Sequence, residues 1–188
     1  AYLLGSFASV DRFVSDRIFG LHARPASGKL ILVEIDPKSL QKLSTWPWSR
    51  AYHAALIGRL VAAGAKRIAF DVDFSAGASP AADAALAAEI AVAKGRVILA
   101  AFSQQDDDAG APGLTATVPL APFRASAELG LVNVFADPDG LLRRYRLAED
   151  HLSGAPKTLA AALAAPIAPQ PNAFSIDYSI APDSTARL

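Results

Sequence analysis

Three carboxylates, one guanidinium and one imidazole stand at the edges of apolar runs in this chain: Asp36, Asp71, Asp73, Arg50 and His53. Asp36 ends the run from Leu30 to Ile35. Asp71 and Asp73 are two residues apart near the end of the run from Arg67 to Phe74, so they share one side of a strand. Arg50 and His53 fall in the first turn of a helix opened by Ser49, with His53 in line with Leu56, Ile57 and Leu60. Such a set can bind a small anionic or polar ligand. It can equally close the fold, with Arg50 paired to an aspartate, Asp36 a helix cap and His53 a satisfied core histidine, because buried charges need partners whether or not a ligand is present. Carboxylates alone suit magnesium or calcium, but no full ligand set is evident, and neither a metal nor a cofactor is expected. Trp46 and Trp48 flank Pro47 and serve either as plugs fixing the helix start or as flat surfaces for a ligand to stack on. The ligand-side candidates are therefore Asp36, Trp46, Trp48, Arg50, His53, Asp71 and Asp73.

The elements that must position these groups follow from the apolar pattern. Leu30 to Ile35 is β-rich and nearly all apolar, which suits a strand buried on both faces. Asp36-Pro37 is an N-cap followed by a first helical position, so a short helix is expected from Pro37 to about Leu43. Pro47 stops it, and Ser49 caps a second helix that runs to about Ala63 and ends at Gly64. Arg67 to Phe74 reads as a second strand, Ser79-Pro80 opens a further helix closed by Lys94-Gly95, and Val97 to Phe102 reads as a third strand. Alternation of this kind predicts parallel strands joined by right-handed crossovers, and ligands in such sheets usually sit at the carboxyl ends of the strands. That is the end to which the five charged and polar residues are assigned.

Beyond Phe102 the alternation stops. Gln104 to Gly113, with three consecutive aspartates, reads as a solvated loop. Leu131 to Phe135 and Leu141 to Leu147 flank Asp137-Pro138-Asp139-Gly140, a set of turn residues, and read as an antiparallel hairpin. Those turn residues start like a calcium loop but lack its twelve-residue pattern and terminal glutamate. Arg144 and Arg146 share a face of the second arm, as an anion site or as charge protecting an exposed edge. Pro156 to Ala165 reads as a small helix and Phe174 to Ile180 as a half-buried last strand. The fold class expected is α/β, with central parallel strands, crossover helices and an added antiparallel hairpin in three layers.

Residues 1–24 read as a separate amphipathic helix, with Leu3, Phe7, Val10, Val14, Ile18 and Leu21 at three- and four-residue steps. The stripe packs on its own domain or pairs with a second copy; it is short for a secure coiled coil. Residues 25–188 read as one domain.

Composition excludes several functions. Lys and Arg balance Asp and Glu at 18 each, so there is no basic field for a nucleic-acid backbone. The absence of Cys rules out disulfides, thiolate metal sites and cysteine catalysis. No Met is present either, which reads as a processed or excised piece, and no window approaches the roughly 20 apolar residues of a membrane span.

The blocks Ile35-Asp36-Pro37-Lys38-Ser39-Leu40, Trp46-Pro47-Trp48-Ser49-Arg50, His53-Ala54, Gly64-Ala65 and Phe70-Asp71-Val72-Asp73-Phe74 together resemble the core of the type-two CHASE domains. These are sensory extracellular domains associated with cyclases and histidine kinases. Gly130-Leu-Val-Asn133 and Asp139-Gly140-Leu-Leu-Arg143-Arg144 are similar to that family's second block. The resemblance implies an extracytoplasmic, periplasmic sensor that is not an enzyme, read by an unknown small ligand or stimulus. It also implies transmembrane helices on either side, a cytoplasmic cyclase, diguanylate cyclase or kinase as output, and a homodimer.

One enzymatic rival stands beside it. Asp71, Asp73 and Ser103 superficially resemble the motifs of haloacid-dehalogenase-type phosphatases, but the positioned lysine and later acidic pair are missing, and a strand and helix precede the first motif. A ligand-free docking module is the third reading.

Overall fold

The structure is a computed structural model that describes residues 23–106, 113–137, 139–147, 157–164 and 173–188. The stripe from Leu3 to Leu21 lies outside them. By its contacts the chain divides into two units, one made of Ala1–Trp46 with Ser175–Leu188 and the other of Pro47–Phe174, where the sequence reads as a single domain after residue 24.

The larger unit is built on one long strand. Val97 to Ala101, five apolar residues in a row, are almost wholly buried, as expected of a strand covered on both faces. This strand, β3 (Val97–Asp106), pairs in parallel with β2 (Ile68–Phe70) on one side and β5 (Glu128–Leu131) on the other. Its second half pairs antiparallel with β4 (Gly113–Thr117), in the register Phe102 to Thr117 and Gln104 to Thr115. The mixed α/β class is thus as expected, with three parallel strands and an antiparallel pair.

Local capping chemistry sets the helices. In α1 (Pro37–Leu43) the Asp36 carboxylate accepts from Ser39 N at 2.8 Å. Ser49 Oγ accepts from Ala51 N at the start of α2 (Arg50–Ala62), and Ser79 Oγ from Ala82 N at the start of α3 (Pro80–Val92), where Pro80 takes the first position. Gly64 and Gly95, at φ of 87° and 74°, end α2 and α3 in the left-handed region that glycine adopts without strain.

Ile57 of α2 and Leu86 and Ile90 of α3 pack with Phe70, Phe74, Val97, Leu99 and Phe123, the last from the short helix α4 (Ala121–Arg124). Period two turns Ile98 and Ala100 to the opposite face, where α5 (Leu159–Ala164) packs against β3 and β5. Gly130 permits that approach, because a Cβ there would sit 2.7 Å from Leu159 Cα.

Three expectations are corrected. Leu30 to Ile35 is not the neighbour of β2: β1 (Ile31–Leu32) pairs in parallel with β8 (Ala186–Arg187) in the smaller unit, and Leu30 to Val33 are exposed. An apolar run tells that a strand can be buried, not which strand it joins; here two helices and the unit boundary at Trp46 separate β1 from β2. The expected hairpin forms its turn, with Asp137 N to Leu141 O and Gly140 N to Asp137 O both at 2.8 Å, but its arms do not pair as strands. The first arm is already engaged, since Val132 N donates to Ala101 O and Leu131 N to Lys157 O. The second arm contains β6 (Arg144–Arg146), which pairs with β7 (Ala173–Ser175). Finally, β3 and β4 extend into the segment expected as a loop, and the regular part of the last strand is confined to β7.

In the smaller unit Arg24 donates to Ser179 Oγ at 3.1 Å and to Asp177 at 2.6 Å, while Ala181 N donates to Arg24 O. Glu34 N donates to Leu188 O, Leu188 N to Leu32 O, and Arg187 pairs with Glu34 at 3.2 Å. A 3₁₀ turn, Pro182–Ser184, precedes β8.

Candidate functional site

Arg50 opens α2, so its side chain leaves the helix beside the segment that follows β2. The residue is 8 % exposed. Its Nη2 donates to Ala76 O at 3.1 Å and its Nη1 to Asp73 O at 3.4 Å, while the guanidinium carbon stands 4.4 Å from the centroid of Phe74. Its acidic partner is Asp83, on the first turn of α3, with Nε to Oδ1 at 3.8 Å. That is an ion pair too long for a hydrogen bond. The other oxygen of Asp83 accepts from Ala78 N at 3.0 Å. One guanidinium thus ties the start of α2 to the β2–α3 connection and to α3.

His53 lies one turn further along α2 and is 5 % exposed. Its ring is surrounded by those of Trp48, Phe70 and Phe74 at centroid distances of 6.4, 6.1 and 5.3 Å, the last edge-on. Nδ1 is 3.4 Å from Ser49 O, and because a carbonyl only accepts, the ring proton belongs on Nδ1. Nε2 is then a buried lone pair with no hydrogen-bond partner. Burial holds the His53 pKa below its ordinary value, the bond to Ser49 opposes this, and the Arg50 charge lowers it further.

The carboxylates serve other ends. Asp73 is exposed and accepts from Ser75 N at 2.8 Å, a bond that lowers its pKa; its hydrogen bond with Arg50 is through its carbonyl, and the Arg50 charge adds to the lowering. Asp71 is exposed at the same end of β2. Asp36 belongs to the smaller unit and caps α1, with its pKa lowered by the bonds from Ser39. Trp46 is in that unit also, and is 55 % exposed. Of the seven candidates the structure therefore brings together Trp48, Arg50, His53 and the backbone of Asp73. The expected bond from Arg50 to a carboxylate of Asp36, Asp71 or Asp73 is replaced by the pair with Asp83.

Sequence reasoning missed Asp83, the only acidic residue in the first turn of an alanine-rich helix, and it missed the phenylalanine cluster to which Phe123 adds at 6.0 Å from Phe74. It also missed Asn133. Its amide donates to Ser103 O and accepts from Ser103 N, both at 2.7 Å, extending the β3–β5 pairing by one side chain. The legible signal was its place in Gly130-Leu-Val-Asn133. Ser103, named in the phosphatase-like pattern, thus has its backbone held by Asn133. Among the described residues no group of three or more His, Asp or Glu side chains is placed to hold a metal ion, and no helix is long and apolar enough to cross a membrane.

A three-layer α/β unit closed at one end by a buried arginine and histidine is the setting for the family assignment. The chain matches the family model of the CHASE2 domain over residues 1–185, essentially its whole length, and belongs to that family of sensory extracellular domains of signalling receptors. No curated protein and no solved structure matches it.

Proposed function

We propose that this chain is the periplasmic sensing module of a bacterial transmembrane receptor, relaying a ligand or stimulus to a cytoplasmic cyclase, diguanylate cyclase or kinase. Membership of the CHASE2 family carries this reading. The smaller unit supports it physically. Its first strand and its last run side by side, joined by β1–β8 pairing and by the bonds of Arg24 to Ser179 and Asp177, so a displacement of one is passed to the other. A relay acting on segments flanking the domain needs such a coupling. The intact receptor is a homodimer in this reading, paired through the stripe from Leu3 to Leu21. Of the two roles open to Arg50 and His53, their burial supports the closing of the fold over direct exposure to a ligand.

Topology is the deciding measurement. In the intact parent protein, alkaline phosphatase, which matures only outside the cytoplasm, fused after Leu188 should be active and β-galactosidase at the same point inactive. The reverse pattern would overturn the reading. Output activity of the membrane-embedded receptor should also change on Arg50→Ala, and an unaltered output with an altered domain would remove the relay.

A further inference from the structure

The sheet formed by β1 and β8 has two unlike faces. Its parallel register sets Ile31 beside Ala186 and Leu32 beside Arg187. The bonds from Leu188 N to Leu32 O and from Glu34 N to Leu188 O carry that register on to Val33 beside Leu188. Side chains alternate along each strand, and neighbours in register share a side. Ile31, Val33, Ala186 and Leu188 therefore make one face, apolar throughout. Leu32, Glu34 and Arg187 make the other, where Arg187 pairs with Glu34 at 3.2 Å. We propose that the apolar face is a contact surface for a second copy of this chain, the two sheets stacked face to face about a two-fold axis. It is separate from the stripe between Leu3 and Leu21, and the assignment stands without the receptor reading.

The face is open in the single chain. Ile31 is 54 % exposed, Val33 45 % and Leu188 76 %, and Ala186 is exposed as well. Among the described residues of the smaller unit only Ser179 is buried, so the strands have no apolar core of their own there. Parallel strands are ordinarily covered, and covering these side chains removes apolar surface from water.

Charge and size choose the occupant. No charged side chain interrupts the face, so two copies of it meet without burying an ion or opposing like charges. At the ends of the run that contains β1 stand Lys29 and Asp36. A two-fold axis near Val33 sets β1 antiparallel to its counterpart and brings the Lys29 end of one copy to the Asp36 end of its partner, an arrangement of opposite charges that fixes orientation. A lipid surface calls instead for a basic rim, and here the lysine stands at one end only. Two strands wide, the face is on the scale of the largest apolar patches of single chains, roughly 300–600 Å². That is below the about 800 Å² each partner gives a standard interface, so the pairing is weak and reversible.

Sedimentation equilibrium over a range of concentrations tests the face, with Ile31→Asp on the apolar side and Leu32→Asp on the other. The unaltered chain should dimerise reversibly. Ile31→Asp should raise the dissociation constant at least tenfold and Leu32→Asp less than threefold. In the unaltered chain, a soluble gadolinium chelate should broaden the methyl resonances of Ile31, Val33 and Leu188 less as chain concentration rises, with Leu30 and Leu32 unaffected. If Ile31→Asp loses the native spectrum, this shielding still decides. A chain that stays monomeric to about 1 mM, or equal effects of the two variants, would overturn the face. So would shielding independent of concentration, which puts the cover within one copy, and binding to phosphatidylcholine vesicles that Ile31→Asp abolishes, which gives the face to lipid. A dimer lost in Val14→Asp and unmoved by Ile31→Asp would also overturn it, leaving the stripe as the interface.

Discussion

The guanidinium of Arg50 lies 4.4 Å from the centroid of Phe74, whose ring also packs at right angles to that of His53, 5.3 Å away between centroids. One phenylalanine ring is shared by a permanent cation and a neutral imidazole. The contact with Arg50 is a cation–π interaction strengthened by burial, and the nearby charge disfavours a second one on His53. The side chains that open α2 therefore act as a unit, and each can be tested apart.

Arg50→Ala should lower stability by about 3 kcal/mol, because it leaves the carboxylate of Asp83 facing a low-dielectric gap and strips Ala76 O and Asp73 O of their donor. Exposed Arg59→Ala should change it by no more than about 0.5 kcal/mol. Urea denaturation of both variants gives the comparison, and equal losses would mean that the Arg50 clamp is not a stabilising contact.

Stability should fall as pH drops below about 6.5, the ordinary histidine pKa. His53 titrates below that value in the folded chain, so in this window the unfolded chain binds more protons and protonation favours unfolding. The loss is complete once pH passes below the folded pKa, with a slope of at most about 1.4 kcal/mol per pH unit from this one group. His53→Phe should remove that component from the profile between pH 7.5 and 5. A His53 resonance titrating at or above 6.5 contradicts the argument.

Gly130→Ala should cost about 1–3 kcal/mol, since the new methyl would lie 2.7 Å from Leu159 Cα and α5 would have to move off β5. Gly77→Ala is the control: its nearest neighbour is an oxygen of Asp83 at 3.8 Å, ordinary contact distance. Thermal melts that rank the two variants the other way would show that α5 gives way without penalty.

Asn133→Ala should cost about 2 kcal/mol by leaving both Ser103 N and Ser103 O without their partner. Asn133→Asp should not rescue it, because a carboxylate can accept from Ser103 N but sets a second acceptor against Ser103 O. Hydrogen exchange at Ser103 reads this directly: protection should fall in Asn133→Ala, and unchanged protection would place the amide's role elsewhere.

Local chemistry was legible in the residues. Asp36, Ser49 and Ser79 announce helix starts because a cap needs only a side-chain oxygen within three residues, and Gly64 and Gly95 announce ends because their φ values exclude most other residues. The parallel pairing of β2 with β3 followed from one intervening helix, and the family from motif blocks in order along the chain. Tertiary structure alone decided which strand joins β1, because Ile31 and Leu32 are as apolar beside Ala186 and Arg187 as they would be beside Ile68, and only the competition among long-range partners separates the two. It also decided which acid meets Arg50. Sequence spacing made Asp71 and Asp73 the obvious partners. Yet Asp71 and Asp73 are exposed, and the connection after Phe74 brings Asp83 to Arg50 on the next helix, a geometry accompanied by the packing of Phe74, Leu86 and Phe123 into one core.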